Sequence, residues 1–182
     1  MLRNNLLLPI NRDFGDTPDY IGNVSPYIQD EVFSKIEGGG RNANDYAVGY
    51  MWGTTGLLYN PKYVSDEDVK TWEVLRNPEF AGKILIKDAF RDVYTSLLIS
   101  FYMDKIESGQ MELQTIGFDA SAESIAMVEE YLNSFKDNVA GWEADFGKDQ
   151  MTKELAWLNL SWSGDAQWAI DEAAEIRLEL KY

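Results

Sequence analysis

The sequence predicts an α/β fold built on a mainly parallel sheet. Short apolar or alternating runs of strand length take turns along the chain with stretches of helical period. Glycine and proline fall between the runs, so each reads as a separate element. The 182 residues are 45% apolar and 26% charged, which suits a domain with a packed core. The expected order is strand, helix, strand, helix, helix, strand, helix, strand, a βα pattern that favours parallel pairing.

Residues 12–28 read as loop-rich, punctuated by Gly15, Pro18, Gly22 and Pro26. A short helix is expected over 26–35, and 37–45 reads as a turn region. Tyr46-Ala-Val-Gly-Tyr-Met-Trp-Gly-Thr-Thr-Gly-Leu-Leu-Tyr-Asn60 is aromatic and broken by glycine; it predicts strand pieces at 46–51 and 54–59, with Trp52-Gly53 at a bend. Ser65-Asp-Glu-Asp68 is a capping signature, and helical character continues through 71–75 until Pro78 and Gly82 stop it. Lys83-Ile-Leu-Ile-Lys87 predicts a short buried strand, with its two lysines as edge and rim charges.

A helix over 89–107 is expected to bury Val93, Leu97, Leu98, Phe101 and Ile106. Gly109 and Gly117 bracket a loop. Residues 121–135 form a second amphipathic pattern with Ile125, Val128 and Leu132 on one stripe, and a further turn or two is expected near 149–154. Ala156-Trp-Leu-Asn-Leu-Ser-Trp162 alternates as a strand does. Ser163-Gly164 turns the chain into a helix over 165–175 carrying Ala166, Trp168, Ala169 and Ile170, and 176–182 alternates again. That last alternation runs to the final residue, and the apolar group Leu2, Leu6, Leu7, Leu8 and Ile10 begins abruptly; a piece of a longer chain is expected.

Composition removes several function classes. The chain has no cysteine and no histidine, so thiol chemistry, disulfides, the usual zinc sites and a Ser-His-Asp triad are excluded. No dinucleotide fingerprint, phosphate loop or EF-hand spacing occurs, and no cofactor is expected. No run reaches the ~20 apolar residues that span a membrane. A net charge of −15 opposes nucleic-acid partners, and it either serves solubility or attracts cations. Six Trp, ten Tyr and eight Phe supply core, and some are expected to wall a site, because their rings accept both cations and hydrocarbon.

Three segments can carry chemistry. Lys87-Asp88-Ala-Phe-Arg-Asp92 sits where a strand gives way to a helix, and ligands of open α/β sheets bind outside the carboxyl ends of strands. Asp88 and Asp92 are one helical turn apart and can clamp an ammonium group; equally, Asp88 can cap the helix and Asp92 can favour its positive end. Trp162-Ser-Gly-Asp165 is a second such junction, where Trp162 is either a cleft wall or core and Asp165 either a cation partner or a cap. Trp52, in Tyr50-Met-Trp-Gly53, lies on a hinge strand beside the site or on a packed strand.

Together these segments resemble the spermidine/putrescine-binding proteins of bacterial ABC importers, which are type II periplasmic binding proteins. The likeness rests on residues 44–60, Thr71-Trp-Glu-Val-Leu75, Gly82-Lys-Ile-Leu-Ile-Lys-Asp-Ala-Phe-Arg-Asp92 and Leu158-Asn-Leu-Ser-Trp-Ser-Gly-Asp-Ala166, in that order. It implies a three-layer α/β/α lobe, residues 1–182, with about 1–45 as lead-in and about 46–182 as the ligand-binding part. This would be the second lobe of a protein whose two lobes close on a solute. The partners implied are a polyamine, the first lobe and a membrane permease, in the periplasm or on the outer face of the bacterial cytoplasmic membrane. The resemblance gives Asp88 and Asp92 to the amines and Trp162 to the methylene chain, although the acids stand four apart here where three is usual. Asp165 has no firm counterpart in the family and is a candidate from its own junction alone. Alternatives are the same fold with a sugar, anion or metal chelate, a docking module that binds nothing itself, or a two-carboxylate glycosidase. The glycosidase fits poorly, because two acids one turn apart do not flank a sugar.

Overall fold

A computed structural model describes residues 1–10, 24–117 and 119–182, with Gln114 described for its backbone alone. The expected loop at 12–28 therefore lies largely outside the described residues. The chain divides into two compact units, Met1–Trp52 and Gly53–Tyr182.

In the first unit the expected helix at 26–35 takes an unusual form: a π turn over Ile28–Val32 followed by a 3-10 turn over Phe33–Lys35. The turn region at 37–45 contains a small hairpin, β1 (Glu37–Gly38) against β2 (Arg41–Asn42). Gly39 and Gly40 make its turn with φ of 63° and 74°, a region that side-chain-bearing residues avoid. Residues 46–51 do not form the expected strand. Tyr50 and Met51 are 90% and 80% exposed, and strand preference takes effect only where a pleated face finds a partner.

The second unit is built on a four-stranded sheet in the order β3-β6-β4-β5. Its strands are β3 (Thr55–Tyr59), β4 (Ile84–Lys87), β5 (Val139–Glu143) and β6 (Leu158–Trp162). β4 pairs in parallel with both β5 and β6, while β3 runs antiparallel at the edge, with Thr55 opposite Trp162. The sheet is thus parallel-rich, as the βα pattern predicts. Residues 176–182 contribute only one bridge, Lys181 to Tyr59, rather than a full strand. Arg177 adopts φ 63° as α6 (Ser163–Glu175) ends, and that left-handed turn uses up the start of the alternating segment.

Among the described residues, six α-helices cover the sheet or connect its strands: α1 (Phe90–Phe101), α2 (Met103–Glu107), α3 (Leu113–Ile116), α4 (Ala122–Phe135), α5 (Gly147–Thr152) and α6. The expected helix around 65–76 is realised as 3-10 turns, Asp68–Lys70 and Trp72–Arg76. Ser65 and Asp68 do cap each other: Asp68 N–H donates to Ser65 Oγ at 3.2 Å, and Ser65 N–H to Asp68 Oδ2 at 2.9 Å.

The period of two along the strands sorts the core into two layers. Ile84, Ile86, Leu158 and Leu160 pack with Val93, Leu97 and Leu98 of α1 and with Val128, Tyr131 and Phe135 of α4. Leu58 and Leu85 point to the other side, against Met151 of α5 and Ala166, Ala169 and Ala173 of α6. Three fully buried alanines on one stripe let α6 lie close to the sheet. In α4 the buried stripe is Ser124, Val128, Tyr131 and Phe135; the expected Ile125 is exposed, one position off the stripe. Trp168 of α6 is 43% exposed. The three-layer arrangement brings the last residues of the parallel strands, Lys87, Glu143 and Trp162, to one edge of the sheet.

Candidate functional site

That carboxyl edge holds four of the five residues expected to bind ligand. Asp88 follows β4 directly, Asp92 lies in the first turn of α1, Trp162 ends β6, and Asp165 lies in the first turn of α6. Both helices start here, so their unpaired N–H groups favour negative charge at the same edge. Trp52 belongs to the first unit and is 79% exposed.

Asp88 is exposed, and its carboxylate has no hydrogen bond or ion pair with the described residues. It does not cap α1: the capping position is Ala89, with no side-chain bond. Its backbone N–H donates to Glu143 O at 2.8 Å, which ties the β4 end to β5. Asp92 and Trp162 meet directly, the indole Nε1–H donating to Asp92 Oδ2 at 2.6 Å. The bond fixes the edge of an indole that is 42% exposed at the rim. Phe90, 72% exposed, stacks on Tyr94 nearby in sequence, with ring centroids 5.5 Å apart.

Beneath the rim lies a charged cluster that the sequence reading missed. Lys87 is not a rim charge; its side chain is 1% exposed. Its parity with Leu85 turns it toward the α5/α6 layer, and three acceptors satisfy its ammonium there. They are Asp165 Oδ2 at 2.8 Å, Glu143 Oε1 at 3.3 Å and the carbonyl of Ala144. The same Nζ stands 4.2 Å from the centre of the Trp162 ring. Lys148 reaches the other oxygen of Asp165 at 3.2 Å. Glu143 also accepts from Gly147 N–H at 3.1 Å and from the Asn159 amide at 3.5 Å. Asn159 Oδ1 is buried without a hydrogen-bond partner among the described residues.

Asp165 therefore meets its cations within the chain, Lys87 and Lys148, and it does not cap α6, whose capping residue is Trp162. Burial pushes its carboxyl toward neutrality, but the hydrogen bonds from Lys87 and Lys148 outweigh this and hold its pKa below the usual aspartate value. Two lysines balance two carboxylates in the cluster, so it is neutral as a whole. Asp88 and Asp92 remain at the rim without a cationic partner among the described residues. Lys87 was legible in principle, since a residue two after Leu85 in a strand faces the same way. Glu143 was hidden because its strand was not recognised.

Two grooves of the second unit lie elsewhere, one of about 350 Å³ beside Gly56, Tyr59, Trp72 and Tyr182 and one of about 420 Å³ beside Asn60, Glu154 and Arg177. Neither is lined by Lys87, Asp88, Asp92, Glu143 or Trp162, and geometry and charge make the carboxyl edge of the parallel strands the better candidate. No cluster of three or more acids able to hold a metal occurs among the described residues.

Comparison with known proteins adds findings of three kinds. A sequence profile of bacterial extracellular solute-binding proteins matches residues 24–171. The spermidine/putrescine-binding periplasmic protein of Escherichia coli (strain K12) is 27% identical over 126 residues, covering 68% of this chain and 32% of that protein. The spermidine/putrescine-binding periplasmic protein 1 of Haemophilus influenzae is 22% identical over 138 residues, 74% of this chain and 34% of that protein. The chain thus spans about a third of the length of the curated relatives it matches. Among solved structures, a spermidine/putrescine ABC transporter substrate-binding protein from Streptococcus pneumoniae superposes with a TM-score of 0.65 at 22% identity. That match covers 98% of this chain and 47% of the other.

Proposed function

The chain belongs to the bacterial extracellular solute-binding proteins, and on that premise we propose that it forms one side of the cleft in which an ABC importer's binding protein captures a polyamine. The observation that carries this reading is the pair of rim carboxylates, Asp88 and Asp92, beside the exposed indole of Trp162 and above a neutral cluster. A polyamine is a string of ammonium groups on hydrocarbon. The carboxylates suit its charged ends, and the indole face suits both the methylenes and an adjacent cation, a contact worth about 0.5–2 kcal/mol. Asp165 takes a supporting part in this reading, because its carboxylate is already shared between two lysines. Trp52, in the first unit, is kept as a candidate ligand contact on its exposure alone.

The surface fits binding rather than bond cleavage. Asp88, between β4 and α1, and Asp92, in the first turn of α1, lie at one strand-to-helix junction, on one side of any solute lying along the strand ends. A facing lobe would enclose the solute and exclude water, as hinged binding proteins do. The importer's permease would then receive it outside the cytoplasmic membrane; among the described residues no helix is long and apolar enough to cross one.

Calorimetry on this chain with putrescine, spermidine, fructose and inorganic phosphate tests the reading. Weak binding of the two amines is expected, with Kd in the millimolar range or about −4 kcal/mol, and it should be lost in Asp88→Asn. Sub-micromolar binding contradicts a one-sided site. Heat from phosphate or fructose but none from either amine contradicts the polyamine.

A further inference from the structure

A buried lysine needs a reason. Ile84, Leu85 and Ile86 precede Lys87 in β4 and are all apolar, and taking a charge out of water is unfavourable unless it is fully paired. Lys87 is fully paired. Asp165, Glu143 and the Ala144 carbonyl take the three N–H bonds an ammonium can make, so its position is fixed. What that fixed charge faces is the indole of Trp162, 4.2 Å from Nζ to the ring centre. Trp162 is thereby held at two points, with its buried-side face on a cation and its Nε1–H on Asp92 at 2.6 Å. A large aromatic at an open rim would otherwise sample several rotamers.

We infer that Lys87 is a positioning residue: it occupies the inner face of Trp162 and leaves only the outer face for a cationic solute. The inference rests on Trp162 being the ligand platform of the proposed function. It adds a direction to that site. An ammonium group cannot share the inner side with Lys87, so a bound solute must lay its hydrocarbon across the outer face and place its charge toward Asp88. The cluster behind Lys87 then acts on binding through Trp162 and not by contact.

The test is a double-mutant cycle. Lys87→Met with Glu143→Gln removes the cation while keeping the cluster neutral. In the ligand-free chain this pair is expected to move the Trp162 indole N–H resonance, identified by its loss in Trp162→Phe. Spermidine should bind roughly two- to thirty-fold more weakly, the range a cation–π contact spans. In a Trp162→Ala background the same pair should leave spermidine binding unchanged, and Lys87→Arg alone should keep most of the affinity. An unmoved indole resonance in the folded pair variant overturns the inference, as does a loss of affinity that persists without Trp162. Should that pair unfold the chain, Asp165→Asn with Lys148→Met loosens one of the three acceptors and is expected to cause the same changes at smaller amplitude. No change there overturns the inference too. If no version binds spermidine, the polyamine reading fails, while the ligand-free resonance still decides the role of Lys87.

Discussion

Replacing Lys87 by methionine is expected to destabilise the second unit heavily. The substitution keeps most of the buried volume and deletes one charge. Glu143, 2% exposed at its side chain, then retains only the Gly147 N–H at 3.1 Å and the Asn159 amide at 3.5 Å. Removing one member of a buried ion pair typically costs about 3–5 kcal/mol, because the other charge stays buried without its partner. Against a total stability of about 5–15 kcal/mol, that is a large fraction. With a urea slope near 2 kcal/mol per molar, a loss of about 4 kcal/mol lowers the unfolding midpoint by about 2 M. Adding Glu143→Gln should recover most of the loss, since the glutamine oxygen can still accept from Gly147 and no charge is left behind. Urea unfolding followed by circular dichroism measures all three proteins. A loss under about 1 kcal/mol in Lys87→Met, or a double variant as unstable as the single, would refute the idea that charge pairing governs this cluster.

Three further outcomes follow from the same geometry. Asp165 has a lowered folded pKa, so its pairing contributes stability above the unfolded value of about 3.9 and loses it as pH falls through the folded value. Asp165→Asn should therefore flatten the decline in stability between roughly pH 5 and pH 2, and an unchanged acid limb contradicts the pairing. Gly147→Ala should destabilise by about 1–3 kcal/mol in thermal unfolding, because its Cβ would lie 2.5 Å from Asn159 Nδ2 and 2.6 Å from Glu143 Cδ, outweighing alanine's helix preference. Asp88→Asn should stay within about 0.5 kcal/mol of the parent, since the exposed carboxylate has no side-chain partner among the described residues; a larger drop would assign Asp88 a structural role.

The two strand-to-helix junctions were legible in the sequence because two periods change there at once. Ile84-Leu-Ile86 is too short and apolar for an exposed helix, and Val93, Leu97 and Leu98 follow at helical spacing. The same logic placed Trp162 at the end of β6. β5 escaped notice because Val139-Ala-Gly-Trp-Glu143 has two small residues and two half-exposed ones; its strand character comes from the ladder that β4 supplies. Residues 46–51 show the converse, a strand-like composition with no ladder to join among the described residues. At the site, the carboxylates and the indole were legible as residue types at strand ends. The cluster below them was not, because pairing Lys87 with Glu143 and Asp165 needs three elements distant in sequence to converge.

Asp88, Asp92 and Trp162 form the proposed platform for an amine, and the Trp162 indole N–H reports on it from inside the site. Proton–nitrogen correlation spectra of this chain, recorded as putrescine or spermidine is added to millimolar levels, test the claim most directly. A saturable movement of that one indole resonance is expected, absent in Asp88→Asn and absent when fructose or phosphate is added. An indole resonance that stays in place while the amine perturbs other residues, or that responds to phosphate instead, would contradict it.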